Sequence, residues 1–168
     1  MLCLFPASIL LTSCSKDGDE DNSEYLEFIY NGEKVSYDYC KFYENRESSG
    51  QDVFFVGGHY LNTDNQITIN WDQNITKPQA GKTYDITTNE SGVPNISIIY
   101  QVFYTNSTIY TSNHSVNKGT KIGEVTITKL TDDRMNGSFS CKMSKGEITN
   151  GTFNAEFTKH WYHWVDMY

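Results

Sequence analysis

The segment Lys159-His160-Trp161-Tyr162-His163-Trp164-Val165-Asp166-Met167-Tyr168 gathers two imidazoles and four aromatic rings into ten residues. On a helix, His160 and His163 stand three apart on one face, a spacing at which two imidazoles can share a metal ion. A metal site needs a third or fourth ligand, and the other histidines, His59 and His114, lie far away in the sequence. No metal is therefore expected. The rings offer a second chemistry. Read as a strand, the segment is aromatic on both faces, with His160, Tyr162 and Trp164 opposing Trp161, His163 and Val165. Read as a helix, Trp161, Trp164, Val165 and Tyr168 share one face at i, i+3, i+4 and i+7. Both periods fit. The first expectation is that the segment seals one end of a core. The functional reading is a platform for sugar rings or a protein partner, carried by Trp161, Trp164, Tyr162, His160 and His163.

Catalytic chemistry finds little support. Asp132-Asp133 has the composition of a paired-carboxylate site, but it falls between strand-like stretches. Asp is favoured there because its side chain bonds to the nearby backbone, so a turn is expected. No Ser, His and Asp spacing suggests a nucleophile, although triads assemble in space rather than in sequence. No catalytic residue is assigned and no cofactor fingerprint is present. The chain is expected to be no enzyme, with a hydrolase built from a spatially assembled site as the distant alternative.

Charge narrows the partners. The chain carries −8, of which Asp17, Asp19, Glu20, Asp21 and Glu24 against Lys16 make −4, leaving −4 for everything after residue 24. Nucleic-acid binding draws on clustered Lys and Arg that displace counterions, and no basic run exists. Nucleic acid is excluded as a partner.

The elements that would position these residues begin with an address. Met1 to Leu11 is an apolar run ending in Leu11-Thr12-Ser13-Cys14. It is too short to span a bilayer, which takes roughly 20 apolar residues, and it has the length of a signal-peptide core. No Lys or Arg precedes it, whereas a signal peptide opens with positive charge, so a leader longer than this stretch is expected. Leu11-Thr12-Ser13-Cys14 resembles the lipobox of bacterial lipoproteins, which implies cleavage before Cys14 and acylation of its thiol. Each buried CH₂ contributes about 0.8 kcal/mol, so two or three acyl chains make a lasting anchor. Ser15 to Glu24 contains no apolar residue and reads as a flexible tether. A cysteine followed by Ser-Lys-Asp and more acids resembles the surface-export signal of Bacteroidetes-type lipoproteins. The implied organisation is a signal peptide over 1–13, a lipidated cysteine and tether over 14–24, and one domain over 25–168. The implied location is the outer membrane of a Gram-negative bacterium, on the cell surface.

That domain reads as all-β. After the leader there are only three Leu and two Ala, while Thr, Ile, Val, Tyr and Phe, which suit a pleated surface, are plentiful. Asn31-Gly32 between Tyr25–Tyr30 and Glu33–Tyr39 is the strongest two-residue hairpin signal. Asp52–Leu61 pairs with Gln66–Trp71, and strands follow over Thr83–Thr87, Asn95–Tyr104 and Ser107–Ser112. Near the end, Met135, Gly137, Phe139, Cys141 and Met143 alternate with polar residues, as do Phe153, Ala155 and Phe157. Period two with one polar face means antiparallel strands over a single core. The expected fold is an antiparallel β-sandwich or flattened barrel of about eight to ten strands. Most of the twelve tyrosines are expected to pack a ring and wet a hydroxyl.

Gly123 to Leu130, Met135-Asn136-Gly137-Ser138-Phe139 and Ile148-Thr149-Asn150-Gly151-Thr152-Phe153 resemble small all-β surface lipoproteins of Bacteroidetes type. The resemblance covers roughly the last third, the leader and the opening hairpin, and it implies fold and address without chemistry. Cys40 and Cys141 remain as an even pair in an oxidising compartment. A bridge between them would close a loop worth up to about 4–5 kcal/mol on the chain-entropy argument; the alternative is two buried thiols acting as small hydrophobes. The leading functional expectation is a membrane-anchored binding module for a glycan, small molecule or protein, without catalysis. A structural component of an envelope complex is the alternative.

Overall fold

In the computed structural model, residues 23–46, 52–59, 65–71, 78–88, 95–102, 108–111 and 119–158 are described. They form eleven strands and no helix. β1 (Tyr25–Tyr30) and β2 (Glu33–Tyr37) make a hairpin over Asn31-Gly32, whose φ angles are 51° and 87°. Two successive positive φ values are what a type I′ turn needs to match strand twist. β2 runs past Asp38 into β3 (Tyr39–Arg46). Then come β4 (Asp52–His59), β5 (Gln66–Trp71), β6 (Lys82–Thr87), β7 (Ile96–Val102) and β8 (Thr108–Thr111). β9 (Lys121–Leu130), β10 (Arg134–Lys142) and β11 (Glu147–Phe157) complete the chain of elements.

All eleven share one hydrogen-bonded sheet, ordered β6-β9-β10-β11-β3-β4-β5-β7-β8, with β1 and β2 branching from β11. The branch is possible because β11 divides one edge between two partners. β1 pairs with it from Ile148 to Asn154, and β3 takes Glu156 and Phe157 in the only parallel pairing among the described strands. The sheet then curls on itself into a half-barrel. Asn95, just before β7, donates its main-chain N–H to Thr87 at the end of β6 (3.0 Å). Further along β7, the Tyr100 ring lies 5.3 Å from those of Phe28 and Tyr30 in β1. β7 therefore meets β6 at its start and β1 further along, and the curl encloses one core. Leu26, Phe28, Tyr37, Val56, Ile67, Ile69, Ile98, Ile127, Met135 and Phe153 belong to it.

The fold has two ends. At the near end the chain enters at Ser23, leaves at Thr158, and turns at Thr131–Asp133, whose Asp133 carbonyl accepts the Phe157 N–H at 2.8 Å. At the far end lie the Asn31-Gly32 turn and the β10–β11 turn. Tyr30 donates its hydroxyl across them to the Lys145 carbonyl at 2.5 Å.

The expected all-β class and its alternation hold: β10 buries Met135, Gly137, Phe139 and Cys141 and leaves the residues between them half-exposed. Three details differ. The expected strand Glu33–Tyr39 ends at Tyr37, and after a corner at Asp38 a further strand, β3, runs on to Arg46 through residues where no strand was expected, so the count reaches eleven. The single parallel pairing departs from a wholly antiparallel sheet. Asn154 belongs to the polar face of its strand yet is only 5% exposed, because Ser23 lies over it and accepts a hydrogen bond from its amide at 2.8 Å.

Candidate binding site at the Asn150 bulge

β11 carries one residue too many for both of its neighbours. Against β10, Phe139 pairs with Gly151 and Cys141 with Ile148, so Ser140 faces two residues. Against β1, Glu27 pairs with Thr152 and Ile29 with Thr149, so Phe28 also faces two. Asn150 is common to both surpluses and adopts a left-handed backbone with φ of 51°. Asn is one of the few residues besides Gly that visits this region readily. A bulge bends its strand and re-aims the side chains around it, which is why bulges recur beside functional sites.

A hollow opens on either side of Asn150. The larger, about 400 Å³, lies over β9, β10 and β11 and is lined by Glu124, Ser138, Ser140, Asn150 and Thr152. Phe139 and Gly151 line it too, but the Phe139 side chain turns into the core, 3% exposed, so between the polar walls the surface is low. The smaller hollow, about 150 Å³, is bounded by Glu27, Ile29, Lys34 and Asn150.

The register extends the polar wall. Thr83 pairs with Thr126, Thr126 with Ser138, and Ser138 with Thr152. Four hydroxyls thus stand in a row across β6, β9, β10 and β11, about 4.8 Å from strand to strand. The Thr83 and Thr126 hydroxyls already touch at 2.8 Å. The carboxylates at the margins pair with ammoniums, Glu124 and Asp85 sharing Lys121 and Glu27 taking Lys34. Lys121 lies 2.7 Å from Glu124 and 2.7 Å from Asp85, and Lys34 lies 2.8 Å from Glu27. Hydrogen bonds to Asp85 and then Glu124 hold the Lys121 ammonium above the ordinary lysine value. The surface is therefore polar without strong net charge. It can exchange hydrogen bonds with an uncharged, hydroxyl-rich ligand, and it offers little to a phosphate or a metal ion. Among the described residues, no group of three His, Cys, Asp or Glu is placed to hold a metal.

Of the residues singled out in the sequence, Cys14, His160, Trp161, Tyr162, His163 and Trp164 lie outside the described residues, as does His114. His59 ends β4, paired with Tyr39. Cys40 and Cys141 are free thiols and both are buried, so the bridge between them is absent from the structure. The register keeps them apart. Cys141 pairs with Ile148 near the start of β11, whereas Cys40 precedes Lys41, which pairs with Glu156 near its end. Cys40 thus falls level with Ala155, and the seven residues from Ile148 span roughly 23 Å of strand, well beyond the roughly 7 Å that a disulfide can bridge between Cα atoms. Burial pushes the Cys141 thiol up to about 12 and raises Cys40 well above the ordinary thiol value. Neither is poised as a nucleophile. Asp132 and Asp133 form the expected bend, in which the Thr131 hydroxyl donates to Asp133 at 2.6 Å. That bond is the main cause holding the Asp133 carboxyl below its ordinary value.

The bulge itself was legible as one dipeptide. Asn150-Gly151 inside a strand pattern is a hairpin signal in the wrong place, and a turn dipeptide that fails to turn marks a bulge. Nothing in composition says that Ser138, Ser140 and Thr152 stand together beside it.

The chain matches no protein-family model, no curated protein and no solved structure.

Proposed function

We propose that this protein is an exported lipoprotein, held through Cys14 at the outer membrane of a Gram-negative bacterium and exposed on the cell surface. Its domain acts as a non-catalytic binding module, and the groove at Asn150 takes a glycan. The observation that carries this reading is the row Thr83, Thr126, Ser138 and Thr152 beside a polar hollow of about 400 Å³. Most small-molecule pockets are deep and mainly apolar. A groove of hydroxyls, one amide and a charge-matched carboxylate suits a ligand that is itself a chain of hydroxyls, with bridging water at little cost.

A thermal-shift screen of the intact protein against a glycan panel tests it. A ligand at a hundred times its Kd adds about 2.7 kcal/mol, which raises the midpoint by roughly 5–10 °C at this chain length. Ser138→Tyr places a ring in the groove on an outward strand position that tolerates aromatics. It should abolish the shift while leaving the unliganded midpoint nearly unchanged. A glycan that stabilises parent and variant equally would place binding elsewhere, and a panel with no response would sink the glycan reading.

A further inference from the structure

The hydroxyl row does not stop at β11. Thr152 pairs with Glu27 in β1, and Glu27 pairs with Ser36 in β2. Alternation along the strands turns all three outward, since Leu26, Phe28, Tyr37 and Phe153 beside them are buried. One continuous row therefore crosses six strands, from Thr83 through Thr126, Ser138, Thr152 and Glu27 to Ser36. Its steps of about 4.8 Å make it about 24 Å long. The two hollows belong to this one track. Asn150 lines both, and Thr152 in the larger pairs with Glu27 in the smaller.

Along the strands the same face is short. Toward the near end the entering chain lies on it, and the Ser23 carbonyl accepts the Asn154 amide at 2.8 Å. Beside that contact Lys41 joins the two chain ends through one ammonium: it contacts Glu24 at 2.6 Å and also pairs with Glu156. Thr158 is fixed there by its N–H to the Phe42 carbonyl at 2.9 Å. Toward the far end the face closes at the two turns, where the Asn31 side chain accepts the Glu147 N–H at 3.1 Å. Asn150 to Asn154 is four residues, about 13 Å of strand. The open track is thus about twice as long across the strands as along them.

We propose that the ligand is a linear, uncharged glycan of the flat β-1,4-linked kind, lying extended across the strands with about five sugar units along the row from Thr83 to Ser36. This rests on the glycan reading of the Asn150 groove and names its class. A sugar in such a chain advances by nearly one strand spacing, so successive units meet the side chains of successive strands. Chains that curl, as α-1,4-linked ones do, leave the row. The hollows suit the middle of a chain better than its end. Deep pockets enclose their ligands, whereas Glu124, Ser138, Ser140 and Thr152 all keep part of their surface open and Asn150 is exposed. Charge argues against an acidic glycan. The lysines beside the track, Lys121 and Lys34, are engaged by Glu124 and Glu27, and those carboxylates would repel a uronate.

Calorimetric titration of the intact protein with β-1,4-linked gluco-, manno- and xylo-oligosaccharides of two to six units reads the length of the site. An α-1,4-linked gluco-oligosaccharide ladder is the curled control. The expected result is a Kd that falls at least about tenfold from two units to five and then levels off, with the α-linked ladder weaker throughout. Thr83→Tyr and Ser36→Tyr stand at opposite ends of the row, at strand positions that tolerate an aromatic. Each should weaken the five-unit ligand at least about threefold and leave the two-unit ligand unchanged. Ser138→Tyr, at the larger hollow, should weaken both. Equal affinity for two and five units, an α-linked ladder that binds as tightly, or end variants without effect on the five-unit ligand would each overturn the extended chain and leave a glycan in the groove. A panel glycan that binds while every β-linked ladder is silent does the same. No binding by any glycan of any length refutes the groove reading itself, and a protein partner or a second copy on this face gives that outcome.

Discussion

Adding a single methyl group at Gly151 tests the packing that supports the groove. Across β10 and β11, Gly137 faces Phe153 and Gly151 faces Phe139, so two rings lie over two glycines in reciprocal pairs, with ring centroids 6.3 Å apart. A Cβ at Gly151 would stand 2.6 to 2.7 Å from three atoms of the Phe139 ring. Ordinary contact needs roughly 3.5–4.0 Å, so the ring must retreat by about 1 Å. It has little room, being 3% exposed and packed 6.1 Å from Phe28. Overpacking of this kind costs about 1–3 kcal/mol, and replacing Gly returns about 0.4–1 kcal/mol by restricting the unfolded chain. The net expectation for Gly151→Ala is a loss of about 1–2 kcal/mol, a fall of roughly 2–8 °C in Tm at this chain length. Gly137→Ala should cost more, because there the methyl meets the main-chain carbonyl of Thr126, which the β9–β10 ladder holds in place. Urea unfolding at constant m-value reads both. Phe139→Leu supplies the check: in that background Gly151→Ala should lose about 1 kcal/mol less than alone. Strict additivity with Phe139→Leu, or a Gly151→Ala midpoint indistinguishable from the parent, would refute the ring-over-glycine account.

Asn150→Gly should leave stability within about 0.5 kcal/mol of the parent. Asn150→Val should cost at least about 1–2 kcal/mol, because a β-branched residue is poor at positive φ; equal urea midpoints would argue against the bulge. Intact-mass and thiol titration of the folded protein should find Cys40 and Cys141 reduced and unreactive, with both reacting once urea unfolds the chain. A mass two daltons low across this pair would overturn the register. The Lys41 junction has a pH signature. Glu156 is held below the ordinary carboxyl value chiefly by Lys41, so its stabilising share is present above the unfolded value near pH 4.3 and is lost as pH falls through the depressed folded value. Lys41 is held above the ordinary value, so its share is complete below about pH 10.4 and is lost as pH rises through the raised one. The urea midpoints of the parent and Lys41→Met should therefore differ most between these limits and converge toward both extremes, whereas a pH-independent gap would show that Lys41 acts only by packing.

Much of the fold was legible because its signals are local. The Asn31-Gly32 turn, the alternation of Met135 to Cys141 and the scarcity of Leu and Ala each follow from one strand's own chemistry. What was not legible is long-range. Nothing between Glu33 and Tyr39 announces that Asp38 turns a corner, since that corner exists only because β3 must leave β2's neighbour and join β4. Cys40 and Cys141 look like a pair by count, and only the register along β11 separates them. The hydroxyl row is invisible for the same reason. Thr83, Thr126, Ser138 and Thr152 are scattered over seventy positions and become one surface when four strands line up. Asn154 shows the reverse case, an outward polar residue hidden by a tether residue that alternation cannot foresee.

The groove and the junction of the two chain ends use opposite halves of the same strand, and this decides how they can be tested. Asn150 to Thr152 belong to the groove, while Asn154, Glu156 and Thr158 hold the two chain ends. Asn150 and Glu156 are six residues apart, roughly 20 Å along β11, and substitutions separated by more than about 10 Å without shared partners add almost independently. A groove variant such as Ser138→Tyr should therefore leave the stability lost by Lys41→Met unchanged, and Lys41→Met should leave the ligand-induced shift unchanged. Coupling between the two readouts would mean that strain travels along β11 from one end to the other. The separation into a junction of chain ends and a ligand-facing wall would then be wrong.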